Sequence, residues 1–340
     1  MIAARRFSGA HRAPLAVLLK KLIKTIGYAI SLAVVASAAA WAQAYPSRPV
    51  RYIVPFTPGG SPDIVARTLA DRLSRIWGQQ MVVDNRAGAA GVVGANLGAK
   101  AAPDGYTLFQ CNIASNAIAS VIYKTLPFDM HKDFAAITRI GTTPNALVVG
   151  IGVPAKTAQE FIALARVQPG KLTYGSSGAS PYLAMELFKM LTHIDVTSVA
   201  YKGAAPALAD MMGGQITASV SNLPALVQPV LAGRIRALGV MDAKRAAQWP
   251  DVPTMAEAGV NGAEVTSWYG VCAPAGAPQP VLNKLHADFT GVLNSADVRQ
   301  RFSGLMIDVS PGTPAEFAAF MRAETTRWAQ VAKKAGLQPQ

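Results

Sequence analysis

The chain has 340 residues, 32 basic and 19 acidic side chains, a formal net charge of +13 and an apolar fraction of 51%. That apolar share excludes an intrinsically disordered chain, and two cysteines exclude a disulfide scaffold or a Cys-rich metal centre. At roughly 100–200 residues per domain, the length predicts two or three domains.

The first 44 residues hold six basic groups (Arg5, Arg6, Arg12, Lys20, Lys21 and Lys24) and no acid. An uncharged, alanine-rich apolar stretch follows and ends in Ala42-Gln43-Ala44. That order predicts a secretory signal over residues 1–44, cleaved before Tyr45, in preference to an uncleaved membrane anchor. The exported chain then keeps 296 residues, with 26 basic and 19 acidic side chains and a net charge of +7. Export places Cys111 and Cys272 in an oxidising compartment. Both sit in apolar or turn-like strings, and two separate buried thiols are expected.

In the exported part, Arg51-Tyr52-Ile53-Val54-Pro55-Phe56 reads as a strand that ends in Pro58-Gly59-Gly60. Ile64, Val65, Leu69, Leu73, Ile76 and Trp77 then fall on one helical face. Met81-Val82-Val83 is a second strand, a Gly-rich turn and a helix lead to Lys100, and Tyr106-Thr107-Leu108-Phe109 is a third strand. Strands at 146–150, 172–174 and 197–201 alternate with helices at 158–166, 183–190 and 206–212, which predicts an α/β fold with mostly parallel strands. Gly141-Thr142-Thr143-Pro144-Asn145 and the β-like run Val265-Thr266-Ser267-Trp268-Tyr269-Gly270 read as two crossings between lobes. The tail from Pro280 is helical, with a second amphipathic stretch over 314–335. The crossings assign residues 45–145 and 266–340 to a discontinuous first lobe and 146–265 to a second, with ligand between them.

One local pattern occurs twice. Gly60-Ser61-Pro62-Asp63 and Ala179-Ser180-Pro181-Tyr182 each place a serine and a proline at the start of a helix, and glycine is abundant upstream of both. Serine suits the N-cap and proline the first turn. A helix start in a Gly/Ser-rich loop offers free N–H donors and a partial positive charge, as a carboxylate site requires. Ordinary capped helices would give the same serines. The turn Asn85-Arg86-Ala87-Gly88-Ala89-Ala90-Gly91 lacks dinucleotide spacing, and Arg86 is as well suited to pairing with a nearby acid as to touching ligand. Gly175-Ser176-Ser177-Gly178 is not a nucleophile elbow, and His131, His193 and His286 have no metal-ligand spacing. The scattered basic residues do not point to nucleic acid.

The run Val54-Pro55-Phe56-Thr57-Pro58-Gly59-Gly60-Ser61-Pro62-Asp63-Ile64-Val65-Ala66-Arg67 resembles the opening signature of the Bug-type receptors, the periplasmic substrate-binding proteins of tripartite tricarboxylate transporters. Val83-Asp84-Asn85-Arg86-Ala87-Gly88, Ala102-Pro103-Asp104-Gly105-Tyr106-Thr107-Leu108, Tyr201-Lys202-Gly203 and Asp251-Val252-Pro253-Thr254-Met255-Ala256-Glu257-Ala258-Gly259 extend the resemblance. It implies a type II periplasmic-binding-protein-like fold with two lobes, hinge strands and a ligand cleft. The implied function is a non-enzymatic receptor, without cofactor or metal, that carries a small carboxylate to membrane transporter subunits as a periplasmic monomer. Carried onto this chain, the ligand set is Phe56, Thr57, Pro58, Gly59, Gly60, Ser61 and Asp63 in lobe one. Asn112 and Ser115 follow on a strand-to-helix loop, and Ser176, Ser177, Gly178, Ser180 and Asn222 lie in lobe two. Asp63 could instead order its loop. The sequence departs from the family pattern in three places. Thr57 replaces a frequent proline and adds a hydroxyl. The loop between Gly178 and Tyr182 is two residues shorter, with Tyr182 in place of a histidine. Cys111 stands where glycine or serine is usual. Tyr182 is equally suited to covering an apolar ligand body and to packing on the surface.

Overall fold

The computed structural model describes residues 45–334, so the predicted leader over 1–44 lies outside the described residues. The fold described below lies in the unit that begins at Arg48. Among the described residues no helix is long and apolar enough to cross a membrane.

The first block follows the predicted alternation. Strand β1 (Val50–Val54) leads into helix α1 (Ser61–Trp77), which buries Val65, Ala66, Leu69, Ala70 and Leu73 at helical spacing and stops at Gly78 in the left-handed region. The Trp77 indole N–H anchors that end by donating to Asp288 (2.6 Å). Strand β2 (Met81–Asn85) pairs in parallel with β1. A short turn and helix α2 (Val92–Ala99) then lead to β3 (Thr107–Asn112), which lies in parallel on the other side of β1. After β3 the chain makes a π-helical turn (Ala114–Ile118) and a single helical turn, α3 (Ala119–Ile122).

Strand β4 (Phe134–Gly150) runs 17 residues without interruption. Residues 141–145, read as a crossing between lobes, lie inside this strand. Gly141 permits this, because a Cβ there would strike the Asp308 carbonyl on β10 (Asp308–Val309), which pairs with β4 at this point. Beyond β4 come α4 (Ala158–Val167), β5 (Thr173–Ser176), α5 (Ala179–Thr192), β6 (Thr197–Ala200) and α6 (Ala204–Met212). Strand β7 (Ala218–Asn222), α7 (Leu223–Leu231) and β8 (Ile235–Val240) complete the second block. Strand β9 (Thr266–Pro274) returns to the first block, and α8 (Gln279–Asn294), α9 (Ala296–Gly304) and α10 (Pro314–Lys334) finish the fold.

The strand order is β2-β1-β3-β9-β4-β7-β5-β6, with β8 and β10 also on β4. The pairs β1/β2, β1/β3, β5/β6 and β5/β7 are parallel, whereas every pair made by β4 or β9 is antiparallel. The expected parallel character therefore holds only within each block. The two long strands that tie the blocks together run against their neighbours. Up to Pro144, β4 pairs with β9; from Asn145 it pairs with β7, and from Ala146 also with β8.

The two cysteines are joined, which corrects the expectation of separate thiols. Strands β3 and β9 are antiparallel neighbours, with Phe109 opposite Cys272 and Cys111 opposite Gly270. This diagonal register brings the two Cα atoms to 6.1 Å, inside bridging range. A separation of 161 residues conceals a contact that only the pairing of β3 with β9 creates.

Candidate functional site

A narrow cavity of about 40 Å³ is lined from both blocks. The first block contributes Phe56, Gly60, Ser61 and Pro62 from the start of α1, and Asn112, Ile113 and Ala114 after β3. The second contributes Ser177, Gly178, Ser180 and Pro181 from the start of α5, Ala204 from α6, and Ser221 and Asn222 before α7. Ser267 and Tyr269 of β9 close it. Four helix starts face one small space, and no lysine, arginine or carboxylate lines it. The local charge is therefore the partial positive charge of helix N-termini and hydroxyl dipoles, which suits a small anion.

Neither predicted serine caps its own helix. Gly60 and Gly178 occupy the N-cap positions and make no side-chain cap, so each helix starts one residue or more before the expected first turn. The serine hydroxyls are thereby free to bridge to other elements. Ser61 Oγ accepts the Ala225 N–H (3.0 Å), serving the exposed donors of α7, and donates to the Asn222 carbonyl (3.2 Å). Ser180 Oγ lies 2.9 Å from Ser267 Oγ. Each serine therefore ties its loop to an element from another part of the chain.

Asn222 is the centre of this network. Its Nδ2 donates to Asn145 Oδ1 (2.9 Å) and Ser267 Oγ (2.7 Å), and its Oδ1 accepts from the Tyr269 hydroxyl (3.2 Å). Asn145 also donates to the Val265 carbonyl (2.8 Å). Burial pushes the Tyr269 phenol well above its ordinary pKa, so it stays a neutral donor. Ser221 Oγ is fully buried, lines the cavity and has no hydrogen-bond partner. It is a polar group held ready for one.

The expected ligand set divides under this geometry. Phe56, Gly60, Ser61, Asn112, Ser177, Gly178, Ser180 and Asn222 line the cavity. Ser176 lines a neighbouring one. Thr57, Pro58, Gly59, Asp63 and Ser115 stand outside the lining. Asp63 is buried and accepts the Gly59 N–H and the Arg67 Nε–H, both at 2.9 Å, so it orders its loop as the alternative reading held. Ser115 donates to Asn116 Oδ1 (2.7 Å), while Asn112 Oδ1 accepts the N–H groups of Ala114 and Ser115 and so caps the π-helical turn. Thr57 is pressed against Gly203, where a Cβ would collide with its side chain. Arg86 pairs with Asp84 at 2.8 Å, the structural alternative.

Sequence reasoning missed Asn145, Ser267 and Tyr269 as site residues, whereas the family resemblance placed Ser221 beside Asn222 at a cleft position after a second-lobe strand. Ser267 and Tyr269 alternate on one strand and so share a face, a period-two signal for a polar lining. None of His131, His193 and His286 lines the cavity, and no cluster of His, Cys, Asp or Glu among the described residues could hold a metal ion.

This fold, with its cavity between blocks, is that of solute-binding proteins of the periplasmic-binding-protein type. The chain belongs to the tripartite tricarboxylate transporter receptor family, whose sequence model matches residues 65–337. It is 34% identical over 319 residues to the protein BugT of Bordetella pertussis, covering 93% of this chain and 98% of that one. Among solved structures it is similar to R. palustris Rpa4515 with adipate, at 37% identity and TM-score 0.84, over 87% of this chain and 100% of that one. It is also similar to MatC from Rhodopseudomonas palustris with bound malate, at 30% identity and TM-score 0.80, over 84% and 99% of the two chains.

Proposed function

We propose that this receptor is exported by cleavage before Tyr45, binds a small carboxylate in the narrow cavity and, as a monomer, presents it to membrane transporter subunits without chemical conversion. Residues 45–145 and 266–340 would act as one lobe and 146–265 as the other, with β4 and β9 as the hinge strands. Closure by rotation about two such strands is the hinge motion of binding proteins. One observation carries the reading: helix starts converge on a cavity without charged side chains, where the buried Ser221 hydroxyl has no partner. A carboxylate there would accept from backbone N–H groups and the Ser221 hydroxyl. Two similar structures, one with adipate and one with bound malate, support the ligand class.

A thermal-shift panel of mono-, di- and tricarboxylates, aromatic acids and amino acids tests this. A ligand at 100 times its Kd stabilises by about 2.7 kcal/mol, a readily measured shift in Tm. At least one acid must raise Tm, and Ser221→Ala must reduce that shift. A broad panel without any shift would refute the reading.

A further inference from the structure

The narrow cavity has room for about three waters, the size of a carboxylate group, and none for the rest of a ligand. A second, wider cavity of about 550 Å³, in the range of ligand pockets, lies beside it and shares Phe56, Ser177 and Gly178 with it. Phe56 stands at the junction. A Cβ on Gly178 would come within 3.1 Å of its ring, and one on Gly91 within 3.5 Å, so two glycines hold the ring in place. Beyond Phe56 the wide cavity is walled by Tyr123, Tyr182 and Tyr201. Tyr201 gives its hydroxyl to Asp210 (2.6 Å). Tyr182 packs partly on the apolar core and partly faces the cavity.

Lys202 is the only charged residue lining this space; no acid does, and the lysine has no ion pair among the described residues. It is two residues from Ala204, which lines the narrow cavity, so the two sites are at most about 7 Å apart along the backbone. Flat aromatic walls favour a flat aromatic guest by stacking and edge contacts, and an unpaired cation favours a second anionic group.

We propose that the ligand is an extended aromatic acid. Its carboxylate sits at the helix starts, its ring lies past Phe56 against Tyr182, and a second anionic group meets Lys202. This rests on the carboxylate reading above and names the class of carboxylate. The shortened loop before Tyr182 then has a consequence: it brings an aromatic residue to the wall of the wide cavity.

Calorimetric titration of the mature chain with benzene-1,4-dicarboxylate, benzoate and adipate tests the proposal. The aromatic diacid should bind at least tenfold tighter than either of the others. Lys202→Gln, an exposed position, should weaken the aromatic diacid about tenfold and leave benzoate unchanged. Tyr182→Ala should weaken both aromatic probes and spare adipate. Ser221→Ala, which removes a hydroxyl without a partner, should fold normally and weaken all three. Aromatic-diacid binding that needs Ser221 but is unchanged by Tyr182→Ala and Lys202→Gln would overturn this proposal and leave the carboxylate reading intact. If none of the three acids binds, the proposal falls, and the broad acid panel decides the carboxylate reading separately.

Discussion

Replacing Asn222 by alanine tests whether the polar network, and not apolar packing alone, holds the second block to β9. The substitution removes three side-chain hydrogen bonds, to Asn145 (2.9 Å), Ser267 (2.7 Å) and Tyr269 (3.2 Å). Ser267 keeps its contact with Ser180 and the Tyr269 hydroxyl keeps its interaction with the Ser61 side chain, but Asn145 Oδ1 loses its partner on a residue that is 0% exposed. At about 1 kcal/mol per neutral bond the direct loss is about 3 kcal/mol, and one stranded buried group would add about 1–3 kcal/mol. The adjoining cavity admits water, which can serve that group and removes most of the second penalty. The expected loss for Asn222→Ala is therefore about 2–4 kcal/mol. Urea unfolding of the ligand-free mature chain, followed by far-UV circular dichroism at pH 7, measures it. A double-mutant cycle with Asn145→Ala should show coupling of about 0.5–3 kcal/mol, because the two amides share one bond. A loss below about 0.5 kcal/mol, or strict additivity with Asn145→Ala, would show that the network contributes nothing to holding the blocks together.

Three further outcomes follow from the fold. Loop entropy for a crosslink spanning 161 residues gives about 5 kcal/mol, and such bridges commonly deliver about 2–4 kcal/mol. The double variant Cys111→Ser/Cys272→Ser should lose that amount in urea unfolding, and reductant should reproduce the loss in the parent chain but not in the variant. Gly270→Ala drives a methyl group into the Phe317 ring, so Tm should fall by an amount equivalent to about 3 kcal/mol. Combining it with Phe317→Leu should restore part of the loss, and a Gly270→Ala chain with unchanged Tm would refute this contact. Burial alone would raise the Asp84 carboxyl, but hydrogen bonds and charge from Arg51 and Arg86 hold it below its ordinary pKa. A depressed folded-state pKa stabilises above the unfolded value and is lost as pH falls through the folded one. Arg51→Gln should therefore cost stability at pH 7, and the gap to the parent should close at acidic pH below the lowered value. A gap independent of pH would refute the assignment.

How much of this was legible in the sequence depended on whether a feature was local. The helices over residues 61–77, 158–167 and 314–334 could be read because apolar residues recur at their buried faces, a property of each segment alone. The Gly-Ser-Pro loops could be located for the same reason. The tasks of their serines could not. A hydroxyl that accepts a helix N–H 164 residues away leaves no trace in the spacing around Ser61, and its own helix has Gly60 at the N-cap instead. The continuity of strand β4 through the crossing at 141–145 was not legible locally, because the close approach of Asp308 that makes Gly141 necessary comes from a distant part of the chain.

The same distinction explains why a site can be neutral and still be suited to an anion. A buried arginine would have been visible in the sequence as a charge in an apolar setting. Such a charge must be desolvated on burial and then leaves an unpaired cation whenever the site is empty. Backbone N–H groups at the starts of α1, α5, α6 and α7 carry no net charge and are already fixed by helices whose packing is complete. Serine and asparagine side chains exchange bonds among themselves, as Ser180 does with Ser267 and Asn222 with Asn145. Among the described residues lining this cavity, Ser221 alone has a buried side-chain oxygen without a partner. Binding at such a site should depend little on ionic strength, because screening acts on exposed charges and this cavity has none. Any salt dependence would come from Lys202, which lines the wider cavity. The salt slope of a diacid measured against that of the matching mono-acid therefore separates the two cavities physically, one acting through fixed dipoles and the other through a single solvated charge.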